Sequence, residues 1–314
     1  MMAPFPAAPT PRHPRMRTTR SILLGTALMA IAASARAQRP LKVYISVDME
    51  GIAGVVTDDQ LGPAGFEYER FREFMTAEAL AAVQGARDAG ATAIVVSDSH
   101  GNGESLLIDK FPDDVTVVRS WPRPLGMMQG IDSTFAAAVF IGYHASTSNP
   151  AGVRAHTMSS ATLTAIELNG VAMPESGINA GIAGQFGVPI VAISGDNVAV
   201  AEAQQLIGPM EGAVVKQAIS FHAAQTMTPA AAQALIRAKV KAGVAKRATL
   251  KPYVIATPVK LDISFKNYRQ AELLAYLPTV QRLTSHTDRY VAPNMVEVSK
   301  FIEFITNYQS GLAP

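Results

Sequence analysis

Residues 41–118 alternate in a way that leaves few folds open. An apolar run at 41–47 is followed by a helical pattern over 66–89 and by further short apolar runs at 93–97 and 115–118. Within 66–89 the side chains of Phe71, Phe74, Met75, Ala79, Ala82, Val83 and Ala86 recur at spacings of three and four, the stripe of an amphipathic helix that Gly90 ends. Strand, helix, strand in that order predicts a right-handed parallel crossover. More apolar runs follow at 136–141, 162–168 and 189–194; Pro174 opens a small-residue helix over 174–184, and Asp196 stands where it would cap another. The last third mixes helical patterns at 229–242 and 295–308 with a long strand near 253–265. The expectation is an α/β fold, a mostly parallel sheet flanked by helices in a Rossmann-like three-layer arrangement, with a smaller α+β lobe. The division falls at 38–210 for the α/β domain and 211–314 for the lobe.

Residues 1–37 read as an address and not as part of the fold. Arg12, Arg15, Arg17 and Arg20 precede an apolar stretch at 22–33 that is too short to span a bilayer stably, and Ala35-Arg36-Ala37 supplies small residues for cleavage. A signal peptide cleaved after Ala37 predicts a secreted or periplasmic protein; the proline-rich start makes Met16 an alternative initiator. Removing this segment takes away five Arg and leaves 22 basic against 25 acidic residues, a net charge of −3. The mature chain therefore has no basic excess to attract nucleic acid or anionic membrane, and no second apolar stretch approaches spanning length. With no Cys, disulfides are excluded, and any metal site must be built from His, Asp and Glu.

The chemistry lies in what the apolar runs lead into. The first closes on Ser46-Val47-Asp48-Met49-Glu50-Gly51, where alternation puts Ser46, Asp48 and Glu50 on one face. The run at 93–97 enters Asp98-Ser99-His100-Gly101, and that at 136–141 enters Gly142-Tyr143-His144. In an open α/β sheet, sites form in the crevice beyond the carboxyl ends of the strands. If these strands are neighbours, two carboxylates and two imidazoles meet there, a thiolate-free set suited to zinc or another divalent transition metal.

Each residue alone has a structural explanation. The acids at 48 and 50 suit a solvated turn, Asp98-Ser99-His100-Gly101 suits an Asx turn, and His144 a core hydrogen bond. Glu175 in a first helical turn suits the helix dipole. The coincidence at three strand ends favours a site. His156 carries no signal of its own, and His222 and His286 read as structural. Serine-hydrolase, P-loop and dinucleotide motifs are absent from the chain.

Taken in order, Ser46-Val47-Asp48-Met49-Glu50-Gly51, Asp98-Ser99-His100, Gly142-Tyr143-His144, His156, and Glu175 with Gly177 and Asn179 resemble the zinc-dependent D-aminopeptidases of the DppA type. Segments at 215–220 and 267–272 extend the resemblance into the C-terminal third. It implies a dinuclear site with two Zn2+ per chain, in which Asp48 bridges both ions. Glu50 and His144 would complete one ion's ligands, His100 and Glu175 the other's, and His156 matches the catalytic position. It also implies short peptides with N-terminal D-residues of the D-Ala type as substrates, and a ring-shaped homo-oligomer. Ser46 is expected to fix one of the carboxylates by a hydrogen bond. Two other readings stand beside this one: the same metal site acting on another amide or a phosphoester, and a periplasmic peptide-binding protein without turnover.

Overall fold

The apolar run at 41–47 becomes β1 (Lys42–Val47), buried from its second residue onward, as a parallel strand covered on both faces must be. The computed structural model describes residues 1–11 and 40–308, so the segment read as a signal peptide lies outside the described residues from position 12 on. From β1 the helix α1 (Tyr68–Asp88) crosses over to β2 (Ala93–Asp98), which pairs parallel with β1 from Lys42 with Ala93 to Val47 with Asp98. β3 (Val115–Val118) joins the outer side of β2, and β4 (Ala137–Tyr143) takes the other side of β1. The hairpin β5 (Leu163–Leu168) and β6 (Val171–Ala172) leaves this sheet. Then α2 (Glu175–Gln185) leads to β7 (Ile190–Asp196), parallel to β4, and α3 (Asn197–Ile207) to β8 (Glu211–Ser220), parallel to β7. Asp196 caps α3 as expected, its Oδ1 accepting the N–H groups of Val198 and Ala199 at 2.7 and 3.0 Å.

β9 (Ala223–Thr226) closes the first sheet antiparallel to β8, giving the order β3-β2-β1-β4-β7-β8-β9. After α4 (Pro229–Lys246) come β10 (Val259–Phe265), α5 (Tyr268–Leu274), β11 (Val280–Arg282), β12 (Thr287–Ala292) and α6 (Met295–Asn307). A separate antiparallel sheet has the order β11-β12-β10-β5-β6. The expected α/β architecture is thus present. Strand alternation sorts the core onto two sides of the first sheet: Val43, Ile45 and Val47 pack with Met75, Ala79, Ile236 and Val240, while Tyr44 and Phe140 pack with Ile178, Ile166 and Leu261.

The strand pairing does not follow a division at residue 210. β5 and β6 lie before it yet pair with β10, while β8 and β9 lie after it and complete the first sheet. An apolar pattern reports that a strand exists; which sheet it joins depends on partners far away in sequence. The strand expected from 253 begins only at Val259, beyond Pro258, which has no N–H to give a ladder. Among the described residues no helix is long and apolar enough to cross a membrane.

Candidate metal centre

The carboxyl ends of β1, β2 and β4 lie side by side, and two glycines allow it. A Cβ at Gly51 would sit 2.1 Å from the Tyr143 carbonyl oxygen, and one at Gly142, with φ of +72°, 2.1 Å from that of Asp48. Only glycine lets the two strand ends close to this distance. The Asp48 and Gly51 N–H groups then donate to Ile141 and Gly142 at 2.8 and 2.7 Å, carrying the β1–β4 ladder past the end of β1.

All six predicted residues converge here. Asp48 Oδ1 is 3.2 Å from His100 Nδ1, and its Oδ2 is 3.3 Å from His144 Nε2. Glu50 Oε2 lies 2.9 Å from His100 Nδ1, whereas Glu175 Oε2 lies 3.3 Å from His144 Nε2. His156 stacks on His144 with ring centroids 4.0 Å apart, its Nε2 3.6 Å from Glu175 Oε1 and 4.0 Å from Glu50 Oε1. Two groups of ligand atoms result, Asp48 with Glu50 and His100, and Glu175 with His144 and His156, the atoms within each lying inside 4.8 Å of one another. In these distances Glu50 approaches His100 and Glu175 approaches His144, a grouping different from the ligand sets that the resemblance implied. His222 and His286 are exposed and belong to neither group.

The donor set can be tested for fit to a metal cation through its hydrogen bonds. His100 Nε2 faces the Leu61 carbonyl at 2.7 Å, His144 Nδ1 that of Ala145 at 2.9 Å, and His156 Nδ1 that of Arg154 at 2.9 Å. A carbonyl can only accept, so each of these nitrogens carries a proton. The other nitrogen of each ring is turned toward carboxylate oxygens, the orientation expected of a ligating histidine held by a backbone carbonyl. Asp48 Oδ2, Glu50 Oε2 and His144 Nε2 are buried and without a hydrogen-bond partner. Three buried carboxylates around imidazoles require positive charge, as protons or as a metal ion, and the oxygen and nitrogen donor set fits a metal cation.

Without a metal, protons on the imidazoles supply the positive charge the cluster calls for. Burial alone would lower both imidazoles, but Glu50 beside His100 and Glu175 beside His144 push them well above the ordinary histidine range. Against burial, His100 holds Glu50 well below its ordinary value and His144 does the same for Glu175. Asp48 is raised, by burial first and by the charge of Glu50 second.

Ser46 does not touch a carboxylate. Its hydroxyl lies 2.8 Å from that of Ser99 and accepts from the Tyr143 hydroxyl at 2.7 Å, a network beneath the site. Sequence reasoning missed Lys216 and Glu78, both buried behind the loop that carries Glu50. Glu78 had a signal, since it falls on the apolar stripe of α1 between Met75 and Ala82. Burial pushes Glu78 up to about 7 and draws Lys216 down to about 8. A cavity of about 300 Å3 opens onto Asp48, Glu50, His100, His156 and Glu175, with Trp121 and Met158 in its wall; His144 lies beneath it.

Comparison with known proteins places this geometry. A family model described as D-aminopeptidase matches residues 41–304. A D-aminopeptidase of Bacillus subtilis (strain 168) is 35% identical over 258 residues, covering 82% of this chain and 93% of that protein. The solved structure of the Zn-dependent D-aminopeptidase DppA from Bacillus subtilis, described as a self-compartmentalizing protease, matches with a TM-score of 0.81 at 33% identity, over 87% of this chain and 100% of that one.

Proposed function

The chain belongs to the D-aminopeptidase family, and on that footing we propose that it is a zinc-dependent aminopeptidase removing N-terminal D-residues of the D-alanine type from short peptides, with two Zn2+ held per chain. The observation that carries the reading is the set of three imidazoles, each held by a backbone carbonyl through one ring nitrogen, whose other nitrogens face three buried carboxylates. Asp48 would be shared between the ions, Glu50 and His100 on one side of it and His144 and Glu175 on the other. Bound zinc supplies Lewis acidity, polarising the scissile carbonyl and lowering the pKa of water.

The chain's own residues supply the rest. His156 is only half-buried and lines the cavity, so its Nε2 faces the space a peptide would enter. With Nδ1–H held by the Arg154 carbonyl, that nitrogen can take a proton and return it to a leaving amine. The Met158 N–H donates to Glu175 Oε1 at 2.7 Å and so orients that carboxylate toward the two imidazoles. A cavity near 300 Å3 is at the small end of ligand pockets and suits a short peptide. Export, read from residues 1–37, would place the protein where D-alanine peptides of the cell wall are released, and assembly into a homo-oligomer, self-compartmentalizing as DppA is described, would restrict access to short chains.

The test is a release assay. Zinc-loaded protein is expected to free D-Ala from D-Ala-D-Ala, and a chelator to abolish this. Equal or faster cleavage of L-Ala-L-Ala would refute the stereochemical assignment.

A further inference from the structure

Residues 49–55, which carry Glu50 away from β1, form no strand or helix, and their backbone is almost wholly buried. Buried carbonyl and N–H groups outside regular structure need partners from elsewhere. Lys216 of β8 supplies three at once: its Nζ donates to the carbonyl oxygens of Glu50, Ile52 and Val55 at 2.5, 3.1 and 2.7 Å. An ammonium has three donors, so all are used on this one loop, and the side chain is only 2% exposed. From α1, Glu78 Oε1 accepts the Ala53 N–H at 3.0 Å, and from β9 the Thr226 hydroxyl accepts that of Gly54 at 2.8 Å.

Burying an ammonium is tolerated only where every N–H is satisfied, and three water-bridged carbonyls would leave the loop less fixed. The rest of the cluster is held independently. Asp48 is anchored to β4 through Ile141, His144 through Ala145, and Glu175 through Met158.

We infer that Lys216 and Glu78 are positioning residues that grip the loop after β1, keep the Glu50 carboxylate turned to His100, and thereby set the zinc affinity of the His100 side of the centre and not that of the His144 side. This rests on the two-ion reading above. The test counts zinc per chain after dialysis against buffered zinc that holds both ions in the wild-type protein. Lys216→Met is expected to bind one ion as the wild type does and the other about 10- to 100-fold more weakly. Counted over a series of buffered zinc concentrations, its weaker ion then half-fills at that much higher zinc, and combining it with Glu50→Gln leaves the half-filling of the tighter ion unchanged, because both act on one side. Two ions at wild-type affinity would overturn the inference, as would loss of both ions from a folded variant. Should Lys216→Met not fold, Glu78→Leu leaves the Ala53 N–H without its acceptor and decides by the same counts. A wild-type protein holding fewer than two ions would overturn the two-ion reading instead, and that result is seen before any substitution.

Discussion

Asp48 is the carboxylate that stands between His100 and His144, one oxygen 3.2 Å from the first and the other 3.3 Å from the second. Asp48→Asn keeps the side-chain volume but replaces one anionic oxygen with an NH2 that cannot ligate, and it weakens the other. Glu50→Gln does the same to a side chain facing His100. With free zinc held at about 100 times the Kd of each site, each ion contributes about 2.7 kcal/mol to folding stability. Asp48→Asn, reaching both ions, should remove about 5 kcal/mol of zinc-dependent stability, and Glu50→Gln about half of that. Urea unfolding of both variants and the wild type, in chelator and in buffered zinc, reads these differences from the shift in midpoint at constant m. In chelator the sign should reverse. Burial and Glu50 raise the Asp48 carboxyl, so the folded protein holds a proton there that the unfolded chain releases, and stability is lost as pH rises from the unfolded value of 3.8. Asn is neutral at every pH, so near neutrality the metal-free variant should unfold at the same urea concentration as the wild type or higher. Equal zinc-dependent losses in the two variants would refute a shared role for Asp48.

His156→Ala should retain two zinc ions yet lose about 100- to 10,000-fold in kcat, as expected for a proton-transferring group; full activity would disprove that role, and a count of one would make His156 a ligand. For Glu78 the pH dependence is specific: burial raises it from 4.5 to about 7, so the folded protein binds a proton the unfolded chain has released, and wild-type stability falls by about 3 kcal/mol across that window. Gln keeps an acceptor for Ala53 and stays neutral, so in chelator Glu78→Gln should gain about that much on the wild type between pH 4.5 and 7, and a flat difference would refute the shift.

Much of this was legible because both signals are local. A strand that runs into Asp48 or His100 shows its apolar run and its polar end within ten residues, and the capping of α3 by Asp196 is readable from one side chain before a periodic segment. β8 was not legible. Its sequence, Glu-Gly-Ala-Val-Val-Lys-Gln-Ala-Ile-Ser, has neither an apolar run nor clean alternation, since Lys216 occupies a buried position on behalf of a loop 160 residues earlier. The carbonyls of Leu61, Ala145 and Arg154 that fix the three imidazoles are backbone atoms, and no residue type announces them.

The neighbours of each candidate ligand were hidden for a related reason, and the strand order explains them. Sequence shows that Asp48, His100 and His144 stand at strand ends but not which strands are neighbours. With the order β3-β2-β1-β4-β7, β1 lies between β2 and β4, so a carboxylate at its end has His100 on one flank and His144 on the other. The place of Asp48 between the two imidazoles follows from topology before any side-chain torsion is considered, and it is the place that the two-ion proposal needs. Glu175 begins α2, which packs against β4, so it reaches the centre from the His144 side. Glu50 is left to the His100 side, where the loop gripped by Lys216 directs it. In this fold the three central strands decide which residues can share an ion, and the loops only decide how well they are held.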